Sequence, residues 1–181
     1  MQATEKFVWT LDHYHRAVKA GIFDDEQIEL LEGELIEMAP EGEPHANRSS
    51  GLHRFLTLSL GEQTEVRENH PITLENSEPQ PDIAVVQPLG REYDIHHPYP
   101  ENIFWIIEFA ETSLEKDLTV KRKLYATAGI PEYWVVNLKQ RQVHRYCQPE
   151  QGEYQWSDIV QSGTLSPNVF PEVQIDFEAL V

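Results

Sequence analysis

Two acids and a lysine occur in an order that suits chemistry at a divalent cation. Asp82 follows Pro81 and opens the apolar run Ile83-Ala84-Val85-Val86, while Glu108 follows Trp105-Ile106-Ile107 near the end of a second apolar run. A carboxylate among buried strand residues is costly to ionise unless a cation or hydrogen bonds satisfy it. Two such carboxylates converging at strand ends suit Mg²⁺ (or Mn²⁺) as a metal site, because hard ions take oxygen ligands. Each acid alone reads equally well as a solvent-facing residue on the polar side of its strand. Lys121 shifts that balance. Asp117, Lys121 and Tyr125 are spaced four and four, which puts them on one face of the helix that follows Glu108. An ammonium placed there can neutralise negative charge developing at a reacting centre, although the same spacing also describes an ordinary ion pair on a solvated face.

Other residues are weaker candidates. Glu29 precedes Leu30-Leu31 in an apolar segment, where it can supply a third carboxylate or simply face solvent. His45 stands at the entrance of a helix, where it can bind phosphate, move a proton near neutral pH, or serve only as a polar capping group. His96-His97 lacks metal-ligand spacing partners and reads as a solvated loop pair. Lys123 lies two residues from Lys121 on a helix and points elsewhere. Glu132-Tyr133-Trp134 reads as the packed entry into a core strand.

The elements that must position these groups follow from periodicity and punctuation. Thr10 caps a helix with the apolar face Leu11, Tyr14, Ala17 and Val18, stopped at Gly21. Residues 27–38 form a hairpin turning at Gly33, and residues 40–44 a loop. Leu52, Phe55, Leu56 and Leu60 recur at helical spacing, predicting an amphipathic helix over 46–60. Residues 82–86 and 103–109 read as buried strands separated by a long loop over 87–101. A helix over 116–128, ended by Gly129 and Pro131, leads to a third core strand over 133–137, a step long enough for a right-handed crossover between parallel strands. Residues 142–146 and 154–160 add antiparallel strands. The fold class is therefore α/β, a mixed sheet with helices packed on it.

Length and composition bound the rest. At 181 residues the chain can build one full core. One domain over 1–181 is expected, with a helix and hairpin over 1–44, a core over 45–137 and C-terminal strands over 138–181. The apolar runs are too short for a membrane span, residues 1–6 do not read as a secretory leader, and the single Cys147 excludes an internal disulfide. These features lead to the expectation of a cytoplasmic protein. Lys and Arg number 14 against 31 Asp and Glu, a net charge of −17 that opposes a polyanionic partner at long range. A local basic stretch such as Lys121-Arg122-Lys123, or one built across a dimer, can still work within an acidic chain.

Taken in order, Glu29-Leu30-Leu31-Glu32-Gly33-Glu34-Leu35, Met38-Ala39-Pro40, His45, Pro81-Asp82-Ile83-Ala84-Val85-Val86, Glu108, Asp117-Leu118-Thr119-Val120-Lys121 and the run from Tyr125 through Ala128-Gly129-Ile130-Pro131-Glu132-Tyr133-Trp134 to Asn137 resemble the Uma-type restriction endonuclease family, over nearly the whole chain. The resemblance implies a restriction-endonuclease-like PD-(D/E)XK core and a metal-dependent endonuclease acting on DNA. It also implies Asp82 and Glu108 as metal ligands and Lys121 as the catalytic lysine, with Glu29, His45 and Asp117 in support. The general superfamily pattern carries its lysine two residues after the acid, where this chain has Ala110, so Lys121 must act from a helix instead. A homodimer is expected, as for nucleases that pair their sites to cut two strands. The alternative from a different class is an inactive relative that keeps the fold and serves as an acidic protein-interaction module.

Overall fold

The computed structural model describes residues 6–181, so residues 1–5, on which the reading of a leader rests, lie outside the described residues. The first helix, α1 (Leu11–Lys19), starts where expected, with Thr10 Oγ1 accepting from the His13 N–H. Its buried face is Tyr14 and Ala17; Val18 is 47% exposed, so the inward stripe is narrower than the four-residue pattern suggested. Strands β1 (Ile28–Leu31) and β2 (Glu34–Glu37) form the hairpin, and Glu32 and Gly33 both adopt positive φ, as a two-residue turn matched to strand twist requires. Glycine is needed at 33 for a second reason: a Cβ there would meet Val8 Cγ1 at 2.2 Å.

Helix α2 (Glu43–Leu60) begins three residues earlier than its apolar periodicity indicated, because Pro44 sits in the first turn, where its missing N–H costs nothing. Leu52, Leu56 and Leu60 pack inward, whereas Phe55 is 39% exposed. Six strands then build the central sheet: β3 (Glu65–Glu68), β4 (Ile83–Val86), β5 (Ile103–Ala110), β6 (Glu132–Asn137), β7 (Gln142–Glu150) and β8 (Glu153–Val160), in that spatial order. All neighbours are antiparallel except β5 and β6, which run parallel, with Glu108 opposite Val135.

The crossover between β5 and β6 is helical but not uniform. It runs through α3 (Leu114–Lys116), a π-helical turn over Asp117–Lys121, and α4 (Arg122–Thr127). An unbroken α-helix was the expectation. Instead the Asp117 carbonyl accepts from the Arg122 N–H, five residues on, and also from the Tyr133 hydroxyl at 3.1 Å. The widened turn carries both Asp117 and Lys121, and such turns recur where a helix serves a site.

The sheet separates two apolar clusters. Trp105, Ile107 and Phe109 of β5 and Trp134 and Val136 of β6 face α2 and the C-terminal segment, which ends in β9 (Thr164–Leu165), β10 (Ile175–Asp176) and α5 (Phe177–Leu180). Ile106 and Ala110 of β5, with Tyr133 and Val135 of β6, face α4 and the hairpin. By alternation Glu108 lies on this second face, between Ile106 and Ala110. Among the described residues no helix is long and apolar enough to cross a membrane.

Candidate active site

Asp82 stands where β4 has not yet begun but β5 continues past it. The Phe109 N–H therefore lacks a strand partner, and Asp82 Oδ2 accepts from it at 2.6 Å. This bond fixes the Asp82 side chain at the rim of the sheet and leaves Oδ1 for other contacts. His45 Nε2 approaches Oδ1 at 3.1 Å, within ion-pair distance.

Glu108 is 4% exposed and Lys121 3%. Lys121 Nζ donates to Glu108 Oε1 at 2.9 Å and lies 3.3 Å from Glu29 Oε2, so the ammonium is clasped between two carboxylates. The Tyr125 hydroxyl donates to the same Glu108 oxygen at 3.0 Å. Glu29, 1% exposed, also pairs with Lys116 Nζ at 2.7 Å. Asp117 Oδ2 accepts from Ser113 Oγ, while its buried Oδ1 has no partner.

Burial governs the charge states. It pushes Glu108 up to about 8, with Asp82 and Asp117 adding repulsion and Lys121 opposing. Burial also raises Asp117. Lys121 shows the reverse balance, since burial favours its neutral form but Glu108, Glu29 and Asp117 together keep it protonated. Glu29 is likewise penalised by burial, yet Lys121 and Lys116 hold it below the usual carboxylate range. His45 is drawn down by burial and pulled harder upward by Asp82, Glu41 and Glu108.

One open cleft of roughly 240 Å³ gathers Asp82, Glu108, Asp117, Lys121, Lys116 and His45. Five of the six expected site residues thus meet there. Glu29 does not line it, and stands behind Lys121 as the anchor of the ammonium. The donor set fits a divalent cation: Asp82 and Glu108 both line the cleft, and the buried Asp117 Oδ1 beside them has no hydrogen-bond partner. Sequence reasoning passed over Glu41, which lines the same cleft with its Oε1 held by Asn69 Nδ2 at 2.9 Å. It sits in a loop with no periodicity to mark it. Spacing four residues before His45 was the available signal. His96 and His97 lie elsewhere, the first stacked on Tyr99 and the second with Nε2 4.0 Å from Glu78.

Comparison with known proteins points the same way. The family model described as "Uma2: Putative restriction endonuclease" matches residues 11–178. A solved crystal structure, described as that of "a putative nuclease belonging to DUF820 from Anabaena variabilis ATCC 29413", superposes with a TM-score of 0.73 at 15% sequence identity, covering 86% of this chain and 90% of that one. At that identity the likeness is one of fold. No curated protein matches the chain.

Proposed function

Since the chain belongs to the Uma2 restriction endonuclease family, we propose that it is a divalent-metal-dependent endonuclease hydrolysing DNA phosphodiester bonds, with Asp82 and Glu108 holding Mg²⁺ or Mn²⁺ and Lys121 as the catalytic ammonium. One observation carries the reading: a buried lysine, 2.9 Å from Glu108 and 3.3 Å from Glu29, shares a cleft with a second strand-end acid. A structural ion pair needs no cleft and no surplus of carboxylates.

When bound, the ion would supply a Lewis acid and favour deprotonation of water at neutral pH. The remaining steps belong to the chain. Lys121 holds its proton at Nζ and presents positive charge where negative charge develops on the phosphoryl oxygens. Glu29 fixes that ammonium from behind, with Lys116 balancing the second oxygen of Glu29. Tyr125 orients the Glu108 carboxyl through its hydroxyl, and the Phe109 N–H does the same for Asp82. His45, 3.1 Å from Asp82 Oδ1, braces that carboxylate from the helix side of the cleft.

Asp82→Asn keeps the bond from the Phe109 N–H and removes the charge. Cleavage of supercoiled, linear and single-stranded DNA with Mn²⁺ should fall at least about 100-fold in this variant, with the fold intact by circular dichroism. Equal cleavage by both proteins on every form would contradict the mechanism.

The acidic cleft mouth, with Glu41 and Glu111, favours a second reading, an inactive relative that binds protein through its charge. Calorimetric titration separates the two. Absence of divalent-cation binding to the wild type supports the interaction module, and a site lost in Asp82→Asn supports the nuclease.

A further inference from the structure

The two edges of the central sheet are built differently. At one edge β3 is four residues long and three of them are charged, Glu65, Arg67 and Glu68. The Val66 carbonyl also lies 3.2 Å from His53 Nε2 of α2, within hydrogen-bond reach. Short, charged and partly covered edges resist pairing with another strand. At the other edge β8 is eight residues long and contains neither lysine nor proline. It pairs with β7 from Glu153 opposite Glu150 to Val160 opposite Val143. In such a ladder alternate residues direct their N–H and C=O groups away from the neighbouring strand. Among the described residues no other backbone bonds to β8 on that side.

We infer that β8 is the interface with a second copy of this chain, the two strands pairing antiparallel about a two-fold axis at Trp156 and joining two sheets into one. The inference uses no residue of the cleft, so it stands or falls apart from the nuclease reading.

Charge selects both the partner and the register. At a net charge of −17 two copies repel each other at long range, so a self-contact needs a locally neutral surface. β8 supplies one, because each of its two acids is paired with a cation of its own chain. Glu153 lies 2.9 Å from Lys123 Nζ and 3.8 Å from Arg122, and Asp158 Oδ1 accepts from Arg145 Nε at 2.8 Å. A two-fold axis normal to the sheet pairs residues whose side chains share a face, which places the axis at a residue and not between two. With the axis at Trp156, Glu153 faces Ile159, Tyr154 faces Asp158 and Gln155 faces Ser157, so no acid meets an acid. An axis at Glu153 or Asp158 would set a carboxylate against its own copy, a destabilising cross-strand pair. An axis at Ser157 also keeps the acids apart, but sets Trp156 against Asp158. The axis at Trp156 instead brings two exposed indoles together, and aromatic pairs stabilise antiparallel strands. It also covers the exposed Ile159. Because β3 is blunted, pairing through β8 closes at two copies and does not propagate.

Sedimentation equilibrium of the full chain, without divalent cations, should give twice the chain mass at micromolar concentration. Trp156→Lys and Trp156→Glu each put two like charges on the axis, and each should be monomeric at that concentration, with a cooperative melt showing that the protein is folded. An equimolar mixture of the two variants should recover the dimer mass, since a lysine then faces a glutamate. A second readout needs no substitution: in wild-type protein, amide hydrogen exchange in β8 should speed up on dilution, while exchange in β3 stays constant. A monomeric wild type, a dimer retained in both variants, or a mixture that stays monomeric overturns the inference. Exchange in β8 that ignores dilution overturns it as well, as do assemblies that grow beyond two copies.

Discussion

Glu108 and Glu132 are buried acids on adjacent parallel strands, facing opposite sides of the sheet, and their surroundings differ in kind. Glu132, 0% exposed, accepts from Trp134 Nε1 at 2.7 Å through one oxygen and from the Val169 N–H at 3.0 Å through the other. Both donors are neutral, and the acid anchors the C-terminal segment to β6. Glu108 instead receives an ammonium and a phenol on the same oxygen, faces an open cleft, and has Asp82 and Asp117 raising its proton affinity. Burial of an acid is thus no signal of function by itself. What separates the two is whether neutral donors already satisfy both oxygens, or whether charge has been gathered around a space that can admit a ligand.

The sharpest break in the comparison comes from Lys121→Met. If the Glu108 side is catalytic, DNA cleavage with Mn²⁺ falls at least about 100-fold in protein that still melts cooperatively; retained cleavage would make Lys121 a structural partner of Glu108, comparable to the donors of Glu132. On the other side of the sheet, Glu132→Gln turns an amide N–H₂ toward donors that need an acceptor. Stability should fall by about 1–3 kcal/mol, read by urea denaturation, with cleavage by the folded fraction unchanged. A smaller effect is expected from pH. Glu108 is pushed from an ordinary 4.5 to about 8 in the fold, so between those values the folded chain holds a proton that the unfolded chain releases. Its stabilising contribution is complete below about 4.5 and lost as pH rises through about 8. Without divalent cations, the Tm of wild type relative to Glu108→Gln should therefore drop over that window by about 3 °C or more. A flat difference would remove the electrostatic distinction between the two acids.

Much of this contrast could be read from the sequence, and the rest shows where one-dimensional patterns stop. Asp82, Glu108 and Lys121 were recognisable because apolar runs and a following helix surround them, and those features also give the parallel step from β5 to β6. The hairpin turn was legible in Gly33, since few residues accept positive φ, whereas the positive φ of Glu32 had no signal in its residue type. The π-helical turn was not, because Asp117–Lys121 has ordinary helical composition and the hydroxyl that helps widen it comes from Tyr133, twelve residues beyond the turn. Nor did periodicity tell the roles of Glu29 and Lys116, which meet only when the hairpin packs on the crossover helix. Glu41 was hidden for the same reason: its partner Asn69 is brought near by β3, not by spacing. Val18 and Phe55 matched helical stripes yet remain exposed, because periodicity gives a face and only tertiary packing decides how wide its buried part is.

The central claim, that Glu108 belongs to a reaction centre and Glu132 to the scaffold, is tested most directly by one side-by-side measurement. Mn²⁺-dependent DNA cleavage should be compared for wild type, Glu108→Gln and Glu132→Gln at a temperature where all three are folded. The account predicts that cleavage is lost in Glu108→Gln alone. Equal cleavage by all three proteins, or a loss in Glu132→Gln matching that in Glu108→Gln, would contradict it.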